Sequence, residues 1–230
     1  MKEDLVRVLN VVPNMRAAGV ETFIMNVYRN IDRTRVQFDF LVHSEKKEFY
    51  DDEIEKLGGK IYRLTYKDDK NFFKYIKDLN DFFSEHKEYE IVHGHMQSMM
   101  PIYLKIAKNH NVKIRIGHSH NNSYEKSMKG ILLHILSRSA KKYANIKFAC
   151  SVDSGKYLFG KKTKVEVINN GIEIDKFKFE ESKRNKIREE LKLKDDDILI
   201  GNIGRMEKQK NQMFLVEVFK KLHEENKKYK

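Results

Sequence analysis

The residues with the clearest chemical potential lie in ILIGNIGRMEKQKN, residues 198–211. An apolar run closes on Gly201 and Gly204, carries Arg205, Lys208 and Lys210, and leads into a helical pattern over residues 212–222. A strand, a glycine turn and a helix N-terminus present free backbone N–H groups where the helix dipole is positive. Two or three cations at such a mouth suit a diphosphate better than a single carboxylate. The same residues also describe an ordinary turn with a solvated basic helix start. Four histidines form a second constellation. His93 and His95 are two apart, as are His118 and His120, so each pair faces one side of an extended segment. Imidazoles so placed can hydrogen-bond a polar ligand, move a proton near neutral pH, or simply finish a strand end. Four imidazoles also suit zinc. No Asp or Glu stands beside them, however, and neither an H-E-x-x-H nor a paired-cysteine pattern occurs, so no metal is expected. Gly19 is a smaller feature. It follows the irregular NMRAA loop at a helix start, where a missing side chain lets a ligand approach the backbone.

Several chemistries lack their residues. There is no G-x-S-x-G elbow, no phosphate-binding G-x-x-x-x-G-K-[ST] loop, and no G-x-G-x-x-G in the first turn. The single cysteine, Cys150, sits in the run KFACS and reads as an inert thiol in a reducing compartment rather than a nucleophile.

The elements that must position these residues alternate. Apolar or β-branched runs at residues 5–12, 36–42, 60–64, 91–95, 113–118, 147–151 and 164–168 are separated by amphipathic helical patterns. Strand–helix alternation predicts a doubly wound, Rossmann-like α/β domain with a parallel sheet covered on both faces. Ligands bind such sheets beyond the carboxyl ends of the strands, here residues 13–19, 43–44, 65–66, 93–97, 118–122 and 151–155. Asn170-Gly171 is a turn signal, so the first domain is expected over 1–170. Residues 171–230 would then hold an interdomain segment, a charged helix over 181–193, and the strand and helix around the basic loop.

With 230 residues, the chain can build a full core. No apolar run approaches the roughly 18 residues of a membrane span, and the start MKEDLVRVLNVV lacks the order of a signal peptide. The net charge of +12 is compatible with nucleic acid, anionic lipid or phosphorylated substrates. The lysines are mixed with acids, as in KKEFYDDEIEK, which describes solvated surface. No nucleic-acid partner is expected, while the residual bias suits the inner face of an anionic membrane.

Five pieces in order across roughly 200 residues carry a resemblance: AAGVET, GHSHN, ACSVDSGKYLFG, VINNGIEIDKF and IGNIGRMEKQKN. Together they resemble the retaining glycosyltransferases of family 4, of the two-Rossmann GT-B type, many of which build bacterial exopolysaccharide and capsule. GRMEKQKN is similar to that family's G-R-x-x-x-Q-K-N element, and VINNGIEIDKF to its interdomain element. The chain departs at Ala18-Gly19, where the family often has Gly-Gly, and at Glu173 and Asp175, which share the place of one acid. The resemblance implies transfer of a sugar from a nucleotide-sugar donor, UDP- or GDP-linked, to a saccharide or lipid-linked acceptor. Gly19, Arg205 and Lys210 would hold the donor diphosphate, making a metal cofactor dispensable. His118 would face the donor sugar as the catalytic residue. Arg16, His120 and Asn121 would meet the acceptor, with Lys126 and Lys129 nearby. The family's E-x7-E element falls beyond residue 230, so an acceptor-side domain with the first elements of a donor-side domain is expected, inactive alone. Localisation would be cytoplasmic, peripheral at the inner membrane face. Two other readings are a sugar-nucleotide epimerase sharing the frame and a non-catalytic binder of anionic polymers. A metal-dependent hydrolase would instead use the histidines.

Overall fold

The computed structural model describes residues 5–65, 72–123, 127–208 and 210–230; Tyr66, Lys126 and Gln209, each part of an expectation above, lie outside them. The chain divides into two compact units, Met1–Glu173 and Ile174–Lys230.

The first unit is a seven-stranded sheet. Its strands are β1 (Val6–Val12), β2 (Val36–Val42), β3 (Ile61–Arg63), β4 (Ile91–Gly94), β5 (Ile114–Ser119), β6 (Ile146–Ala149) and β7 (Glu166–Val167). All neighbours pair in parallel, in the order β3-β2-β1-β4-β5-β6-β7. The connecting helices are α1 (Gly19–Asn30), α2 (Asp51–Lys56), α3 (Phe72–Glu85), α4 (Met100–Asn109), α5 (Met128–Ser137) and α6 (Val152–Phe159). The doubly wound architecture expected from the sequence is therefore the one formed.

Side-chain alternation along the strands splits the core in two. Leu9, Val11, Leu41 and Val92 pack with Tyr75, Leu79, Tyr103 and Leu104 of α3 and α4 on one face. Val12, Phe40 and Val42 pack with Phe23, Ile24 and Tyr28 of α1 and Ile54 of α2 on the other. Asp39, fully buried in β2, takes both arms of Arg7 at 2.6 Å, the Tyr89 hydroxyl at 2.7 Å and the Lys60 backbone N–H at 2.7 Å. The carboxylate, first through this hydrogen bond, holds the Arg7 guanidinium above its usual pKa.

Strand order reverses at β1. β2 lies on one side of it and β4 on the other, so the crossovers leave in opposite directions and open a crevice above β1, β4 and β5. β4 can approach α4 closely because of Gly94: a Cβ there would run into the Tyr103 hydroxyl and ring.

Local hydrogen bonding modifies one helix. The pattern over residues 129–143 predicts a single helix, yet α5 ends at Ser137 and tightens into a 3-10 turn over Arg138–Lys142. The Ser137 and Ser139 hydroxyls donate to the His134 and Leu136 carbonyls at 2.7 Å, competing with the backbone ladder at that point.

The second unit contains a 3-10 turn (Ile174–Phe177), α7 (Glu181–Glu190) and α8 (Gln212–Glu225). The strand expected at residues 198–203 is not formed. Ile198 makes one parallel bridge with Tyr229, supported by bonds between residues 198–200 and 228–230. A strand exists only through its partner, and within this unit the partner segment is three residues long.

Candidate active site

The crevice at the switch point holds the four histidines. His93 and His118 are the next-to-last residues of β4 and β5; His95 and His120 follow two residues on, so each pair stays on one side of the extended chain. The rings form a two-by-two lattice. Within each pair the centroids are 4.1 Å apart, and between strands they are 5.3 Å (His93 to His118) and 5.2 Å (His95 to His120). Phe23 of α1 meets His118 edge-on at 5.7 Å, and Phe148 of β6 meets it at 5.8 Å from another side.

Hydrogen bonds fix much of the protonation pattern. Asn10, buried in β1, directs its amide nitrogen to the Val8 and Asp39 carbonyls, leaving Oδ1 at 3.4 Å from His95 Nε2. An oxygen only accepts, so His95 carries its proton on Nε2 and its Nδ1 is a bare acceptor. His120 Nε2, 2.9 Å from that Nδ1, must donate, which leaves His120 Nδ1 with a free lone pair. That nitrogen is buried and has no partner, and neither has His118 Nε2. His93 Nε2 lies 3.1 Å from His118 Nδ1.

Burial, and secondarily the neighbouring imidazoles, push these rings away from the charged state. His93 falls to about 3, His118 to about 2, and His95 well below the usual range. His120 falls to about 4 through burial. All four rings are therefore neutral at physiological pH. They act as neutral hydrogen-bonding groups, not as cations.

One nitrogen each from His93, His95 and His118 lies within 4.8 Å of the others, close enough to be weighed as a metal set. No carboxylate belongs to that group, and each ring is already hydrogen-bonded inside the lattice.

A cavity of about 650 Å³ adjoins the lattice, lined among others by His95, His120, Asn121, Glu21, Lys129 and His134. Of the residues singled out in the sequence, His95, His120, Asn121 and Lys129 line it, whereas His118 is fully buried. Gly19 is the first residue of α1, which has no side-chain cap, and a Cβ at Gly19 would meet nothing within 4 Å. Packing does not require this glycine, so its effect is to leave the first turn open. Arg16 is exposed on the preceding loop, its backbone N–H bonded to Asn14 Oδ1 at 3.4 Å.

Arg205 and Lys210 stand on one loop of the second unit, both exposed. Arg205 pairs with Glu207 at 2.8 Å, and its carbonyl accepts from the Gln212 side chain at 2.6 Å. Asn211 precedes α8 in the left-handed conformation at φ 50°, so the loop turns sharply into the helix.

Sequence reasoning missed Asn10, Phe23, Phe148 and the chain from Gln97 through the Ser119 hydroxyl to the Ser154 carbonyl. Asn10 had a signal, as the one amide within the β-branched run VRVLNVV. The aromatic pair had none, because their shared target is set by helix packing.

A buried polar cluster at the switch point of a parallel sheet defines a ligand-binding α/β protein of the doubly wound class. Residues 17–176 match the model of Glycosyltransferase Family 4, and the chain belongs to that family. It is 28% identical over 225 residues to EpsF of Bacillus subtilis (strain 168), which bears a provisional glycosyltransferase name. It is 26% identical over 232 residues to the capsular polysaccharide biosynthesis glycosyltransferase CapH of Staphylococcus aureus. These alignments cover 95% and 96% of this chain but 59% of each relative, so the chain spans well under two thirds of their length. A crystal structure of Anabaena Alr3699/HepE in complex with UDP superimposes with a TM-score of 0.71 at 15% identity, over 92% of this chain and 56% of that one. The fold is thus the first Rossmann-like half of the GT-B frame, and the family match favours a transferase over the epimerase reading.

Proposed function

We infer that this chain forms the acceptor-side part of a glycosyltransferase acting in cell-surface polysaccharide synthesis. The donor is a nucleotide sugar, and the acceptor is a saccharide or lipid-linked saccharide. The names of EpsF and CapH, and the UDP and UDP-glucose held in HepE structures, support that assignment of chemistry. The observation that carries it in this chain is the pair of buried, unpartnered imidazole nitrogens, His118 Nε2 and His120 Nδ1, the second on a ring that lines a cavity large enough for sugar units.

In this reading Arg205 and Lys210 of the second unit bind the donor diphosphate, and the open first turn at Gly19 is the donor-binding element of the first unit. The barrier lies in departure of the nucleotide, as an oxocarbenium-like centre develops at the sugar and charge builds on the phosphate. Fixed cations and helix-end N–H groups stabilise that charge, a role worth several kcal/mol in other active sites, on the order of 3. His118 is the catalytic residue facing the donor sugar, and its neutral ring hydrogen-bonds without adding positive charge beside the cationic centre. Arg16, His120 and Asn121 receive the acceptor. The lone pair on His120 Nδ1 suits a hydroxyl donor, so a sugar hydroxyl is the natural partner. Transfer proceeds with retention at the anomeric carbon and without a divalent metal, in the cytoplasm.

The test is nucleotide release by the full-length protein from a panel of UDP- and GDP-sugars in EDTA, with product configuration read by NMR. Release with one donor, unaffected by EDTA and giving the retained anomer, is expected. Dependence on added metal, or an inverted product, contradicts the mechanism. Tight stoichiometric zinc binding that raises the melting temperature by many degrees would contradict the metal-free reading of the histidines.

A further inference from the structure

Gln97 follows the crevice end of β4 and is half-buried among the residues lining the 650 Å³ cavity. Its amide nitrogen lies 2.9 Å from Ser119 Oγ. That oxygen is in turn 2.7 Å from the Ser154 carbonyl and 3.4 Å from the Asn121 carbonyl. The direction of each bond follows from the partners. A carbonyl only accepts, so the single Ser119 hydroxyl proton is committed to Ser154. Ser119 Oγ can then only accept from Gln97, and the Gln97 amide must turn its nitrogen inward. Oε1 is the only acceptor left on that side chain, and among the described residues it has no hydrogen-bond partner.

The chain behind this amide is rigid. Ser119 is fully buried as the last residue of β5, and Ser154 is 1% exposed in the first turn of α6. A capping box fixes that turn: the backbone N–H groups of Ser151 and Ser154 each donate to the other's hydroxyl at 3.1 Å. Ser154 Oγ also lies 3.3 Å from the Ser119 carbonyl, so strand and helix are tied twice. A freely rotating glutamine offers a donor or an acceptor equally well. This one is held in a single orientation by β5 and α6. Glu21 of α1, itself buried, adds carboxyl oxygens to the same lining.

We propose that Gln97 is a specificity-determining residue whose Oε1 accepts from one hydroxyl of the acceptor sugar. Ser119 is the positioning residue that keeps the amide nitrogen turned away. The ligand class is a sugar with a free hydroxyl at the ring position facing Gln97. A ring lacking that hydroxyl leaves Oε1 without a partner, and an ether or carboxylate there sets lone pair against lone pair. The assignment rests on the reading of this cavity as the acceptor side.

Saturation-transfer NMR titrations of the full-length protein, without any nucleotide sugar, test the assignment apart from catalysis. The probes are methyl glucoside and methyl galactoside with their monodeoxy and deoxyfluoro analogues. Fluorine keeps nearly the size of a hydroxyl but carries no proton to donate. At one ring position the wild type should bind both the deoxy and the fluoro analogue about tenfold more weakly than the parent. Gln97→Leu should bind the parent about tenfold more weakly and no longer distinguish it from those analogues. Ser119→Ala frees the amide to turn over, so the fluoro analogue should recover to within about threefold of the parent. Loosened packing would weaken every probe together and cannot produce that recovery. No binding by any glycoside, indifference of the wild type to every hydroxyl, or unaltered discrimination in Gln97→Leu overturns the proposal. Wild-type discrimination in Ser119→Ala overturns the positioning role. Selective binding without nucleotide release from any UDP- or GDP-sugar counts against the transferase reading alone.

Discussion

The histidine crevice and the basic loop of residues 201–211 are opposite kinds of site. In the crevice, ring positions are fixed from several sides by β1, β4, β5, β6 and α1, and the charges have been removed by burial. In the loop the charges are permanent and exposed, and no residue of the described second unit is buried. A buried neutral cluster is costly to assemble and gains selectivity from groups that must find partners. An exposed cationic loop is inexpensive to assemble and contributes field rather than shape. The difference suits the two halves of a transfer reaction: recognition of hydroxyl patterns on one side, stabilisation of a leaving diphosphate on the other.

The comparison can be broken first at its foundation. The Asp39 side chain ties Arg7 and Tyr89 to β2 beneath the crevice, while its backbone carbonyl, which any residue there would keep, accepts from Asn10, the partner of His95. Asp39→Ala leaves Arg7 and Tyr89 without their shared acceptor and should cost the first unit about 3–5 kcal/mol, read by urea denaturation. A loss under about 1 kcal/mol would mean the network is dispensable.

A second test separates position from charge. His118→Asn retains polarity but cannot rebuild both ring nitrogens. In the full-length protein it should lower turnover about 100-fold, with the melting temperature reported alongside. Turnover within a few-fold of the wild type would remove His118 from the reaction and leave it as a packed ring between Phe23 and Phe148.

The third concerns pH. The folded rings titrate below the unfolded value of 6.5, at about 4 for His120, 3 for His93 and 2 for His118. As pH falls below 6.5 the unfolded chain takes up protons that the folded one refuses, so stability declines through this window. Each histidine adds a slope of up to about 1.4 kcal/mol per pH unit. The melting temperature should therefore fall steadily between pH 6.5 and 4.5, and replacing His93 by Gln should flatten the curve. A flat profile over that range contradicts the neutral lattice.

The periodicities of β1 to β6 and of α1, α3 and α4 were legible because each buries one face against a sheet, and burial imposes its spacing on the residue types. The histidine pairs were legible as pairs, since a spacing of two on a strand fixes a common side. Their lattice was not: the 2.9 Å and 3.1 Å bonds depend on strand order, and β4 beside β5 is a tertiary fact. The relative depth of His118 and His120 was hidden for the same reason, because Phe23 and Phe148 come from opposite ends of the first unit. At residues 198–203 the apolar pattern correctly marked a strand-like segment, but pairing depends on a neighbour and here reaches one bridge. The exposed apolar face of α5 reflects six apolar residues among its ten. Only the structure distinguishes such a helix in a core from one on the surface.

The proposed transfer divides the labour between donor phosphate at the basic loop and acceptor hydroxyls at His120 and Asn121 of the crevice. The most direct measurement compares Arg205→Ala and Asn121→Ala in the full-length protein, following donor hydrolysis without acceptor and then the acceptor KM. Arg205→Ala should slow hydrolysis by about tenfold or more. Asn121→Ala should leave hydrolysis unchanged while raising the acceptor KM several-fold, about 3–10 times. Unchanged hydrolysis in Arg205→Ala, or equal loss in both variants, would contradict it.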